Sequence, residues 1–422
     1  MKAEIISTGD EIRTGTLVDT NTAFLAQELE DLGIEVVRHS TVGDDLEALR
    51  TLFCEAGQRA DVVLTTGGLG PTSDDVTAAA AAKAAGVELE QNAEALHQME
   101  AYYAMRKFRL SGANLKQSYL PQGCEVLHNQ NGTAPGFSLK IGRARCFFMP
   151  GVPPEMKGMF NNAVMPKLIS MLGQDTMIRT VWVCSCFGLG ESTVYERLAE
   201  FEKFFPDLVL GFRASIPIVE VKIYANGNDA PMLESRLKEA SLWVMAQLKG
   251  YVFAEGGKSL AEAVGDLLRE RHQTLAAAES CTGGLIASQI TDVPGSSEYF
   301  LLSAVTYANV AKENILDVKI KTLMDYGAVS PETVREMAEG ARKAVNADYG
   351  LAISGIAGPD GGSPDKPVGT VCIAVATADN VIVRKFERNY GNRLRNKNMF
   401  AALALDMLRR VILGDDDLTV II

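Results

Sequence analysis

The sequence predicts an α/β protein built around parallel sheets. Three observations carry that reading. From the first residues onward, short apolar runs alternate with stretches of helical periodicity, an order that favours parallel strands joined by right-handed crossovers. Several of the apolar runs end in glycine loops, as in ADVVLTTGG and YGLAISGIAG, where a missing Cβ lets a ligand approach the backbone. The composition over 422 residues is ordinarily globular, 47% hydrophobic and 22% charged, enough to bury large cores and to exclude wholesale disorder.

The elements follow in order. KAEIIS (2–7) reads as a buried strand and TGDEIRTG as a loop. A helix opens at Asp19–Asn21, places Leu25, Leu29 and Leu32 on one face, and stops at Gly33. IEVVRHSTV is the second strand, GDD opens a helix through 57, and ADVVLTTGG is the third strand. The Gly- and Pro-rich stretch 120–155 reads as ordered loops and short strands, and 156–172 as a helix. A boundary near 173–178 closes a first unit, 1–173. The next, 178–253, is a small α+β connector with strands TVWVCSCFGL and IPIVEVKIYANG and helices at GESTVYERLAEF and 231–248. The last, 258–415, runs through helix SLAEAVGDLLRERH, strand TLAAAES, loop CTGG, helix GLIASQIT, a strand near 299–306 and a helix near 330–346. Strands YGLAISGI, VGTVCIAVA and VIVRKFER and a helix over 392–412 complete it. The tail GDDDLTVII is expected to be a solvated end.

Charge and cysteine content narrow the function. The formal charge of −12 argues against direct contact with nucleic acid, which needs a basic surface. It leaves room for one local basic pocket. The seven cysteines and four histidines show no zinc-ligand spacing, and unpaired thiols are the expectation for a reducing cytoplasm. The opening MKAEIISTGDEI lacks the pattern of a signal peptide, and no apolar run reaches about 18 residues. No membrane association is expected.

In the first unit, ligands should meet the carboxyl ends of the strands, and three acidic loops fall there: Asp10-Glu11, Asp44-Asp45 and Asp74-Asp75. Each pair alone is an ordinary solvated loop, and Asp74 and Asp75 alone read as an N-cap. Beside the loop Gly67, Gly68, Gly70 and the helix after it, an anion site, they make more sense if a divalent cation bridges carboxylate and phosphate oxygens. NGTAPG, with Thr133, is a turn or a backbone cradle for a nucleotide.

In the last unit, AAAESCTGG places Ser280 and Cys281 between a strand and a glycine-led helix, a geometry that exposes a nucleophile. No histidine is near, so a Ser–Lys pair is preferred to Ser–His. Lys312 and Tyr307, in TYANVAK, are the local base and proton partner. A lysine acts as a base only if its pKa is lowered. Cys281 is the competing nucleophile, but one of two adjacent side chains should point inward, and a buried Cys is inert. Ser354 and Gly355 begin a second glycine loop, and Lys366, Arg393 and Arg395 are possible phosphate partners.

Taken in order, STGDEI, TTGGLGPTSDD, GTAPG, PGVPPEM, AESCTGG, TYANVAK, SGIAGPDGG and PVGTV resemble the motifs of the CinA (competence/damage-inducible A) family along essentially the whole chain. The resemblance implies an N-terminal molybdopterin-binding-like domain of the MogA/MoaB type with three layers, a KH-like connector and a C-terminal CinA domain. It implies a C-terminal amidase that converts nicotinamide mononucleotide to nicotinate mononucleotide and ammonia without a cofactor. The family's Ser, Tyr and Lys match Ser280, Tyr307 and Lys312, its loop hydroxyl matches Ser354, and the arginine of its GDR pattern matches Arg393 in GNR. It further implies an ADP-ribose pyrophosphatase in the N-terminal domain, dependent on Mg, Mn or Co held by some of Asp10, Asp44, Asp74 and Asp75, and a homodimer. Backbone N–H groups near Thr282, Gly283 and Gly284 would hold either the oxyanion or the phosphate, and Ser280 would attack directly or orient a water. A pterin-binding enzyme of molybdenum-cofactor assembly and a non-enzymatic partner in DNA uptake are the competing readings.

Overall fold

The computed structural model describes residues 1–173 and 178–415. The expected boundary near 173–178 and the end of the acidic tail lie largely outside the described residues. The chain forms two compact units, Met1–Thr180 with Asn226–Ala230, and Val181–Ala225 with the residues from Pro231 onward.

The first unit is a six-stranded sheet. In spatial order its strands are Glu35–Val42, Lys2–Thr8, Val62–Thr66, Ala144–Met149, Gly136–Ile141 and Glu125–Leu127. The first four are parallel and the last two antiparallel, so the sheet is mixed where the sequence predicted a parallel one. The antiparallel edge comes from the tight Gly142-Arg143 turn between the strands Gly136–Ile141 and Ala144–Met149, too short for a crossover. Side chains alternate across the sheet. Ile5, Val62, Leu64, Phe147 and Met149 face Leu25, Leu29, Met156 and Phe160 on one side. Ile6, Val63, Phe137 and Phe148 face Leu49, Phe53, Ala80 and Ala81 on the other. A helical layer therefore covers each face, and the first unit has the three-layer arrangement that the resemblance implies. The helices begin where their caps stand: Asp19 accepts from Thr22 N, and Asp45 from Ala48 N.

In the second unit, strands Val209–Ser215, Ile218–Gly227, Ile178–Phe187 and Val252–Glu255 form a four-stranded sheet in that order. Its helix Ala230–Gln247 and its core residues Val221, Ile223, Leu237 and Val244 pack together. Phe187 and Phe253 also enter the core of the residues that follow, against Leu260, Val264 and Met399. Beyond them a five-stranded sheet has the order Phe300–Val305, Leu275–Glu279, Tyr349–Gly355, Thr370–Ala376, Val381–Glu387, the first three parallel. Its two faces differ in residue size. Leu351, Ile353, Val371 and Ile373 meet the helices Leu260–Glu270 and Arg393–Leu413. Ala276, Ala278, Ala352 and Ala374 meet the helix Pro331–Ala344. The small face lets that helix come close enough that a Cβ on Gly350 would collide with Ala338 O.

Candidate functional site

The carboxyl ends of the parallel strands of the first unit meet at a cavity of about 570 Å³. The loop before Gly136–Ile141 enters from the same edge because that strand runs antiparallel to its neighbour. Gly67, Gly68, Gly70 and Thr133 line the cavity together with Glu11, Asp44, Asp74, Asp75 and Glu155. Glycine is required at the turn: Gly67 and Gly68 have φ of +107° and +65°, and Cβ atoms there would strike Thr8 O and Thr77 Oγ1.

Of the four expected metal residues, Asp44, Asp74 and Asp75 line this cavity and Asp10 does not. Asp10 lies outside the cavity lining and pairs with Arg13 Nε at 2.9 Å. Its amide donates to Asp44 Oδ2 at 3.1 Å, and Thr8 Oγ1 donates to Asp44 Oδ1 at 3.2 Å. Burial and the neighbouring Asp10 and Glu11 raise the pKa of Asp44 against those hydrogen bonds. Asp75 accepts from Thr72 N and Oγ1 at 2.9 and 2.6 Å. The following helix begins only at Thr77, with Val76 at its N-cap. The N-cap role that sequence gave Asp74 and Asp75 is therefore corrected: both carboxylates fold onto Thr72. Among the described residues no three of His, Cys, Asp and Glu stand close enough to cage a metal.

Sequence reasoning passed over Asn21 and Gln117, which also line this cavity. Asn21 Nδ2 donates to Gly151 O and Thr66 Oγ1, and Gln117 Nε2 donates to Leu69 O. A carbonyl partner can only accept, so each side-chain amide is fixed in orientation.

The second unit brings Ser280 and Lys312 together. Ser280 follows the strand Leu275–Glu279, its amide held by Ile353 O at 3.1 Å. Lys312 lies on the helix Asn309–Leu316 and is 0% exposed. Its Nζ is 3.2 Å from Ser280 Oγ, 2.7 Å from Thr306 O and 3.3 Å from Tyr307 O. Burial lowers its pKa, because the ammonium loses hydration. Two carbonyls and the serine hydroxyl take the three N–H groups of the ammonium, so loss of one proton turns the lone pair to Ser280 Oγ. Cys281 is 6% exposed and burial pushes its thiol up to about 12, which leaves it a poor nucleophile.

Tyr307 is 62% exposed. Its hydroxyl accepts from Arg393 Nη2 at 3.2 Å, and Arg393 Nη1 donates to Gly358 O at 2.7 Å. Lys312 meets the main-chain carbonyl of Tyr307, not its phenol. Ser354 is buried beside the Ser280 loop with no partner for its Oγ, and so is Thr282 Oγ1. Gly355 is there for packing: a Cβ would press on Thr370 O at 2.8 Å. Lys366 is turned to Tyr326 O at 2.7 Å.

One expectation about this loop is corrected. The amides of Gly283 and Gly284 are already bonded, Gly283 N to Ser280 O at 3.1 Å and Gly284 N to Glu279 Oε2 at 3.0 Å. Glu279, fully buried, also accepts from Ile286 N and Ala287 N at 3.1 and 2.9 Å. The protein's own carboxylate thus fills the N-terminus of the helix Leu285–Thr291, the place where an anion would otherwise bind. The amides of Cys281 and Thr282 have no main-chain acceptor among the described residues and lie against the Cys281 thiol. The signal for Glu279 was a lone charge in the otherwise apolar run TLAAAE.

Two α/β units, the first with a glycine-lined cavity and the second with a buried serine–lysine pair, define a two-domain protein with one site per unit. Residues 4–170 match the family described as probable molybdopterin binding domain, and residues 257–412 the CinA C-terminal domain. The chain belongs to the CinA-like family. It is 47% identical to a CinA-like protein of Desulfosudis oleivorans over 98% of this chain and all of that one. It is 42% identical to the Shewanella oneidensis protein named nicotinamide-nucleotide amidohydrolase PncC, over 98% and 97%. Among solved structures, that of competence/damage inducible protein CihA from Agrobacterium tumefaciens covers 35% of this chain and 91% of its own at 39% identity, with a TM-score of 0.35. Among the described residues no helix is long and apolar enough to cross a membrane.

Proposed function

We propose that the second unit hydrolyses the carboxamide of nicotinamide mononucleotide to nicotinate mononucleotide and ammonia. The observation that carries this reading is the fully buried Lys312 with Nζ 3.2 Å from Ser280 Oγ. The similarity to the Shewanella protein supplies the substrate. Ser280 Oγ attacks the carboxamide carbon as its proton passes to Lys312 Nζ. The tetrahedral oxyanion forms against the amides of Cys281 and Thr282. The C–N bond then breaks, Lys312 returns the proton to the leaving ammonia, and water hydrolyses the acyl-serine by the same route. Tyr307, exposed and hydrogen-bonded to Arg393, stands at the mouth of the site.

The test is ammonia release from nicotinamide mononucleotide. Ser280→Ala and Lys312→Ala should lose activity by about 100-fold or more, and Cys281→Ala should keep it. Activity lost only in Cys281→Ala would move the nucleophile to the thiol.

For the first unit, the match to a molybdopterin-binding domain favours a pterin-type ligand over the expected ADP-ribose pyrophosphatase activity. The cavity carboxylates, with no protein cage around them, suit a divalent ion of the Mg, Mn or Co type that arrives with a phosphorylated ligand and takes one or two carboxylates. Asp44, half-buried beside Asp10 and Glu11, is the first of these; such an ion would supply Lewis-acid polarisation of a diphosphate. Pterin binding set against metal-dependent hydrolysis of ADP-ribose by the full chain separates the two. Seven unpaired cysteines fit a reducing cytoplasm; the homodimer belongs to the same proposal and rests on the family resemblance.

A further inference from the structure

The second unit holds a cavity of about 340 Å³ that none of Ser280, Tyr307, Lys312 and Arg393 lines. Its apolar walls include Ile216 and Pro217, between the strands Val209–Ser215 and Ile218–Gly227, Phe187 at the end of its own strand, and Met399 of the last helix. The hairpin departs from the ordinary pattern. Ser215 pairs with Ile218, so the turn consists of Ile216 and Pro217. Two-residue turns of this kind are usually built from Gly, Asn or Asp. Here the tip carries an isoleucine that is 68% exposed, an apolar side chain left open to water where it borders an apolar cavity.

Arg388 and Tyr390 bring polar groups to the same lining. The Arg388 guanidinium lies 5.5 Å from the centroid of the Tyr390 ring. Among the described residues it enters no ion pair and no side-chain hydrogen bond, and the Tyr390 hydroxyl has no hydrogen-bond partner either. Burial raises the pKa of that phenol, which keeps its proton and remains a donor. The main chain of both residues is held, Arg388 N on Gly369 O at 3.2 Å and Tyr390 N on Asn396 Oδ1 at 2.7 Å. The one carboxylate in the lining, Glu191, opens the helix Glu191–Arg197, where the helix dipole favours a negative charge.

Apolar walls, one unneutralised cation and one neutral O–H donor specify an occupant. The volume sits at the low end of ligand cavities, which span roughly 300–1,000 Å³; it has room for one or two rings and too little for a length of peptide. Ring faces suit Phe187, Pro217 and the Met399 thioether. A guanidinium stacked on an aromatic ring still offers its N–H edge to an anion. We infer that this cavity binds a small aromatic acid, one or two rings carrying a single negative charge, with the charge held by Arg388 and the Tyr390 hydroxyl. The inference does not rest on the amidase reading.

The experiment titrates two fluorescent probes into the full chain: anilinonaphthalene sulfonate, an aromatic monoanion, and phenylnaphthylamine, which keeps the rings and lacks the charge. Wild type, Arg388→Gln, Arg388→Lys and Ile216→Ser are compared; both positions are exposed, so the variants should fold. Loss of one charge-assisted contact should weaken the sulfonate by roughly 10-fold or more and leave the neutral amine unchanged, and lysine should restore part of the loss. Ile216→Ser should weaken both probes by about 5-fold, since each covers that side chain. Saturating nicotinamide mononucleotide should displace neither. Wild-type affinity of Arg388→Gln for the sulfonate, or an equal loss for both probes, would overturn the inference. Unchanged binding of both probes to Ile216→Ser would place them elsewhere on the chain and overturn it too. Displacement by the mononucleotide would make the cavity part of the Ser280 site, with the same consequence.

Discussion

The buried carboxylate of Glu279 should be worth more to the fold than any other side chain of the CTGG segment. In Glu279→Ala, three main-chain donors, Gly284 N, Ile286 N and Ala287 N, now at 2.9–3.1 Å from the carboxylate, lose their acceptor, Ile286 N in a buried place and the other two in a partly buried one. Each buried unsatisfied donor costs about 1–3 kcal/mol, and part of the sum returns because the anion itself no longer has to be desolvated. A net loss of about 3–5 kcal/mol follows. Glu279→Gln keeps the shape and one acceptor oxygen, but turns an amide N–H₂ toward a donor; about half the loss is expected. The assay is urea unfolding followed by near-UV circular dichroism, with the first unit's transition as the internal reference. Ammonia release from folded protein would be measured beside it, since a loop freed from Glu279 no longer aims the Cys281 and Thr282 amides. A loss below about 1 kcal/mol for the alanine variant would mean that water replaces the carboxylate, and the reasoning about a sealed helix terminus would be wrong.

Two further outcomes are expected. Because burial lowers the pKa of Lys312 in the folded chain, the unfolded chain holds the more tightly bound proton. Stability should rise with pH between the lowered value and the ordinary lysine value and level off above it, while ammonia release rises through the lowered value and is flat beyond it; Lys312→Met, compared by unfolding midpoints across pH, should flatten the slope, and an unchanged slope would show that Lys312 does not cause it. In the first unit, Gly68→Ala places a Cβ against Thr77 Oγ1 at a φ of +65° and should cost about 2–4 kcal/mol from strain and overpacking; a change under 0.5 kcal/mol in the first unit's unfolding would show that the loop relaxes freely.

What the sequence by itself determined was local. The two-residue alternation of Ile5 with Ile6 and of Phe147 with Phe148 assigns side chains to two faces, and the two faces do carry separate cores. The leucines of the helix Thr20–Asp31 and its Asp19 cap fix where that element starts and which stripe it buries. Glycine at 67 and 68, required by positive φ, marked the ligand loop. These are properties of a few consecutive residues, and such residues report on their own backbone. Tertiary structure decided the rest, because it depends on groups that only folding brings together. Lys312 reads locally as a solvated helix lysine; its burial against Ser280, 32 residues earlier, is what lowers its pKa. That Asp10 pairs with Arg13 and Asp75 accepts from Thr72 shows only in the fold. Glu279 reads as one charge in an apolar strand, and only the turn that follows shows it capping the next helix.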